Sequence, residues 1–109
     1  MSAPFEALAG LDRLVHEPAR LAILTALASC EKADFRFLMG LTALSKGNLS
    51  SHLSKLEQGG LVVIEKRFLG KTPNTQVSLT EAGQKAIRRH WEELGRLRTD
   101  ALSFQPLKG

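Results

Sequence analysis

The sequence predicts a mainly α domain with one small β-hairpin, ending in a long helix. Three observations carry that prediction. Leucines recur at helical spacing between residues 18 and 58, and the runs are punctuated by capping residues and glycines. LVVIEKRFL, residues 61–69, is rich in β-branched and aromatic side chains, and the alternating QVSL of 76–79 follows after GKTPNT, a turn by its Gly, Pro and Asn. From Glu81 to Leu102 an apolar stripe of Ile87, Trp91, Leu94, Leu97 and Ala101 continues for about six turns.

The elements follow in chain order. Phe5, Leu8, Leu11 and Val15 share one stripe, a short helix over residues 5–15 weakened at Gly10. Pro18 suits the first turn of the next helix, where its missing N–H costs nothing, and Leu21, Leu24, Leu27 and Ala28 give that helix its buried face. CEKA is a turn. Asp34 caps a third helix with Phe35, Leu38 and Met39 facing inward. Ser45 caps a fourth, in which Leu49, Leu53 and Leu56 face the core, and Gly59-Gly60 ends it through a left-handed turn. The hairpin and the last helix, capped by Thr80, complete the order. An isolated hairpin is marginal in water, so this one must pack on the helices.

With 109 residues the chain suits one compact domain, read as residues 1–102 with a loose tail over 103–109. Hydrophobic residues make up 43% and charged residues 24%, the balance of an ordered globular protein. The net charge of +4 is unevenly placed. Residues 1–44 hold one more acid than base, so the cationic excess lies after Ser45, where a polyanionic partner fits. A single cysteine, Cys30, excludes an internal disulfide and a Cys-x-x-Cys motif. The first ten residues do not read as a signal peptide, and no apolar run approaches a membrane span, so a cytoplasmic protein is expected.

The fourth helix, SKGNLSSHLSKLEQ, is the informative one. With its leucines on the core, the opposite face shows Gly47, Ser51 and Gln58, flanked by Asn48, Ser54 and Lys55. Stability alone would favour Glu, Lys or Ala there. Small side chains instead let a helix backbone approach a grooved partner, and Ser and Asn offer donors and acceptors to base edges and phosphates. A short helix, a tight turn and such a helix make a helix-turn-helix pattern, which suits the DNA major groove. Lys66, Arg67 and Lys71 fall at the hairpin tip directly afterwards, placed to follow the phosphate backbone or enter the minor groove.

The stretch from Leu44 to Ile87 closely resembles the winged-helix domains of MarR- and ArsR-type transcription regulators. GNLSSHLSKLEQGGLV looks like that family's recognition helix, GKTPNTQVSLTEAG like its wing, and HEPARLAILTAL like its early core helix. The resemblance implies a winged helix-turn-helix (α+β) fold, a homodimer and operator binding. It places Ser45, Lys46, Asn48, Ser50, Ser51, Ser54 and Lys55 at the major groove, and Lys66, Arg67 and Lys71 on the flanking backbone. The homodimer is expected through the terminal helices, with Ile87, Trp91, Leu94, Leu97 and Leu102 at the interface. The paired cysteines or His and carboxylate clusters of metal-sensing ArsR relatives are not evident, and no cofactor is implied.

Other chemistry finds little support. His16, His52 and His90 match no zinc spacing, and His52 is expected beside the core stripe or on a phosphate. Cys30 reads as a small semi-buried hydrophobe. Glu92 and Glu93 are adjacent, point apart on a helix and form no acid/base pair. Arg88, Arg89, Arg96 and Arg98 read as a solvated face. No nucleophile motif or phosphate-binding loop is present, so an enzyme is not expected. The rival to a DNA-binding regulator is a protein-interaction module, which would gain nothing from three cations at a hairpin tip.

Overall fold

The computed structural model describes residues 11–103. Within them the order is α1 (Pro18–Ala28), β1 (Ala33–Asp34), α2 (Phe35–Thr42), α3 (Lys46–Gln58), β2 (Val62–Leu69), β3 (Thr72–Leu79) and α4 (Glu81–Ser103). The three strands form one antiparallel sheet in the order β1-β3-β2. The expected helix over 5–15 is not seen in its described part. Residues 11–15 make a bend and a turn, closed by the Asp12 carboxylate accepting from the Leu14 amide at 2.9 Å. Leu11 and Val15 are nevertheless buried, as that stripe requires. Residues 5–10 lie outside the described residues.

Local chemistry sets the helix ends. The Glu17 carboxylate accepts from the Arg20 amide ahead of Pro18, which starts α1. Asp34 caps α2 through the Phe37 amide at 2.7 Å, and Ser45 caps α3 through the Asn48 amide at 3.1 Å. Between α2 and α3 the chain turns at Ala43, which takes the left-handed conformation at φ +56°. At the far end of α3 the left-handed residue is Gly60, φ +76°, while Gly59 stays right-handed. Thr80 works in two directions: its hydroxyl donates to the Gly60 carbonyl at 2.7 Å and accepts from the Gly83 amide at 2.9 Å.

The core joins Ile23, Leu24 and Leu27 of α1, Leu38 of α2, Leu49, Leu53 and Leu56 of α3, Val77 of β3 and Ile87 of α4. On α1 the buried stripe is Ile23, Leu24 and Leu27, not the expected Leu21 and Ala28; Leu21 is half-buried and Ala28 exposed. Both lie roughly 100° from the centre of the stripe that Ile23 defines. Gly83 is where α4 crosses closest to the sheet: a Cβ there would collide with the Leu61 carbonyl oxygen.

The β structure exceeds the expectation. The turn is only Gly70 and Lys71, with Gly70 at φ +65°, and β3 begins at Thr72 rather than Gln76. Pro73 fits within β3 because β1 pairs only with Val77 and Gln76, leaving that edge of β3 free farther out. β1 takes Ala33 from the expected CEKA turn together with Asp34, the expected cap of α2; two residues carry no periodicity, and only pairing with β3 makes them a strand.

Candidate nucleic-acid interface

α3 buries Leu49, Leu53 and Leu56 and leaves Lys46, Asn48, Ser50, Ser51, Ser54 and Lys55 exposed. Ser45 is exposed too, but its hydroxyl is engaged as the cap. Among the described residues, nothing outside α3's own backbone lies within 4 Å of where a Gly47 Cβ would stand, which leaves the first turn of α3 open on that side.

From behind, α3 is steadied by a polar cluster. The Arg20 guanidinium lies 3.2 Å from His52 Nδ1, and the Glu17 carboxylate lies 3.6 Å from the same nitrogen. Arg20 also donates to the carbonyls of Leu14, at 2.7 Å, and Arg13, at 3.2 Å. Burial pushes the Glu17 carboxyl up, yet hydrogen bonds from the Arg20 and Ala19 amides, with the charges of His52 and Arg20, outweigh it and hold it below the usual range. His52 is thus half-buried against α1, its ring taken up by Arg20 and Glu17. Nothing local in the sequence marks this cluster, because Arg20 and His52 are 32 residues apart.

The hairpin stands beside α3. Lys46, Ser50 and Ser54 of α3 share an open groove with Ile64, Lys66 and Thr75 of the hairpin. A second hollow, between α2 and β3, brings Arg36 next to Lys46 and to Thr72–Thr75. Arg36 is a cation at this face that the sequence reading did not place there. Glu57 also lines the first groove, an acid on an otherwise cationic border.

The three hairpin cations do not form one cluster at the tip. Only Lys71 is in the turn. Lys66 pairs across from Thr75 and Arg67 from Asn74, and successive strand residues face opposite ways. Lys66 therefore shares the face of Val62 and Ile64, toward α3, while Arg67 shares the opposite face with Glu65, which lies 3.8 Å from Lys32.

The expected dimer residues divide. Ile87 is a correction: only 3% exposed, it belongs to the protomer's own core. Trp91 is half-exposed, its indole N–H donating to the Thr25 hydroxyl at 3.2 Å. Leu94 and Leu97 are half-buried, and Leu102 is 73% exposed on the part of α4 that extends past the core. Cys30 is exposed rather than semi-buried, because α1 ends before it. The fold joins two residues 74 positions apart, His16 and His90, at 3.1 Å between ring nitrogens. His90 is buried, and its other nitrogen, Nδ1, has no hydrogen-bond partner among the described residues. Arg88, Arg89, Arg96 and Arg98 are exposed, as read from the helix stripe. No described helix is long and apolar enough to cross a membrane.

Comparison with known proteins agrees with this geometry. A family model described as a winged helix DNA-binding domain matches residues 19–97. The chain is 31% identical to a transcriptional regulator homologue from Pyrococcus horikoshii OT3, with a TM-score of 0.80 over 91% of this chain and 99% of that one. It is 29% identical over 82 residues to an uncharacterized protein of Methanocaldococcus jannaschii, a match covering 75% of this chain and 89% of that protein. The transcriptional repressor CouR, solved bound to a 23-mer DNA duplex, shares the fold at 18% identity and a TM-score of 0.72, over 92% of this chain and 68% of its own. A winged helix built on α2, α3 and the β2–β3 hairpin, matched over most of its length, means that the chain belongs to the winged helix DNA-binding domain family, with a fold shared by MarR-like transcription regulators.

Proposed function

We propose that this protein binds duplex DNA sequence-specifically as a homodimer and represses transcription by occluding a promoter. The observation that carries the reading is the single groove onto which Lys46, Ser50 and Ser54 of α3 and Lys66 of the hairpin open. In this reading α3 lies in the major groove, with Asn48, Ser51 and Lys55 on its outer face, while Lys66, Arg67 and Lys71 meet phosphates on either side of the hairpin. CouR, of the same fold, is a transcriptional repressor solved on a DNA duplex, which supports the assignment. The part of α4 beyond His90 offers the second copy an apolar stripe. A two-fold dimer would read two half-sites about 34–36 Å apart, so the preferred site is pseudo-palindromic.

The experiment is selection of bound sequences from a random duplex pool, followed by titration of the selected site across a salt series. A pseudo-palindromic site and a steep fall in affinity with salt are expected, since each neutralised phosphate releases counterions. Binding that stays flat as salt rises would return the protein to the rival class, a protein-interaction module.

A further inference from the structure

Beyond Val62 and Ile64, the α3-facing side of the hairpin carries Lys66 and then Phe68. Phe68 sits two residues past Lys66, about 7 Å farther along the strand. It is 70% exposed. Its cross-strand partner is Pro73, and the neighbouring Leu69, on the opposite face, is 56% exposed. Single apolar residues scattered over a surface need no explanation. Here three of them crowd the last two rungs of a projecting hairpin, where polar side chains would serve solubility. Lys71 lies in the adjoining turn, Lys66 one step back on the face of Phe68 and Arg67 on the opposite face, each exposed. Cations beside an apolar point suit a polyanion with an apolar interior. Duplex DNA is such a partner, phosphate outside and stacked bases within.

We infer that Phe68 is a wedge: with α3 in the major groove, the hairpin tip reaches the adjacent minor groove and Phe68 enters it to pry open one base step, while Lys66, Arg67 and Lys71 hold the phosphates around it. This inference rests on the DNA-binding reading above. Apolar side chains inserted in this way partly unstack a step and kink the duplex. Pyrimidine–purine steps such as TpA open most easily, so the selected site should carry one in each flank, at positions that no polar side chain reads.

The test uses the full chain and its selected site, with 2-aminopurine placed step by step through the flanks of short duplexes. Wild type should raise the fluorescence at one step on each side. Phe68→Ala should abolish that rise, weaken the selected site at least about tenfold and leave the salt slope unchanged, because it removes apolar contact and no charge. Phe68→Leu, still an apolar wedge, should keep the rise. Phe68 lies outside the core, so circular dichroism should match wild type in both variants. No fluorescence rise with wild type, or an equal rise with Phe68→Ala, overturns the wedge while leaving DNA binding intact. Salt-independent or absent binding by wild type removes the DNA reading and the wedge together. Self-association without DNA that disappears in Phe68→Ala overturns the wedge in favour of contact between copies of the chain.

Discussion

In the proposed interface, single side chains divide the work by what they can distinguish. Phosphates look alike at every sequence, whereas base edges do not. Arg67→Ala and Lys71→Ala should weaken selected and scrambled sites about equally, and each should lower the salt slope by about one unit. Asn48→Ala and Ser51→Ala should cost about 1–3 kcal/mol on the selected site, far less on a scrambled one, and leave the slope nearly unchanged. Titration of both duplexes across salt, for wild type and the four variants, separates the two patterns; wing variants that alter preference while helix variants do not would reverse the roles. None of the four removes a core leucine, so folding should survive them all. Gly83 is the contrasting residue. A Cβ there meets the Leu61 carbonyl oxygen, backbone that cannot swing aside, so Gly83→Ala should destabilise the fold by about 1–3 kcal/mol in urea titration despite the better helix propensity of alanine.

Elements acquire their functions from what covers them. α4 has 23 residues but buries only Gly83, Ile87 and His90, all in its first half. The second half keeps Leu94 and Leu97 half-buried and Leu102 exposed. A helix that extends an apolar stripe past its own core is suited to a second copy. Leu97→Glu combined with Leu102→Glu should therefore give monomers in sedimentation, with an unchanged fold by circular dichroism. A wild-type chain that is monomeric at high concentration would refute the assignment of this stripe. The hairpin tells a related story. Its sequence announces a strand, a turn and a strand, but the two faces emerge only from register: Lys66 and Phe68 toward α3, Arg67 and Leu69 away. Adjacent letters in the sequence are thus on opposite sides of the wing.

At the scale of the molecule, the His16–His90 contact ties the segment before α1 to the long helix. His90 is held below its ordinary value of 6.5, first by burial and second by the charge of His16, against the pull of the Glu93 and Asp12 carboxylates. Arg89 borders a hollow lined by His90, Asp12 and Glu93. The unfolded chain thus takes up this proton more readily than the folded one. Stability is complete above the ordinary histidine range and falls as pH drops through it toward the lowered pKa. Thermal melts should show that loss between neutral and mildly acidic pH, and His90→Leu should flatten it. A slope equal to wild type in His90→Leu would assign the pH dependence to other groups.

Periodicity and capping make part of this fold readable from residue order. The leucine stripe of α3, the Asp34, Ser45 and Thr80 caps, the hairpin and the span of α4 were all legible, because each is set by residues within a few positions of one another. So was the exposure of the polar face of α3, which follows once the leucines are placed. Contacts between distant positions were not legible. Tertiary structure alone decided that Ala33 and Asp34 pair with Val77 and Gln76, that Ile87 serves the protomer core and that His52 leans on Arg20. It alone brought Arg36 beside Lys46 and His16 against His90. The physical reason is common to all of them: helix caps and helical stripes are short-range hydrogen bonding and period, whereas these pairings exist only after the leucine core has collapsed and fixed which surfaces face one another.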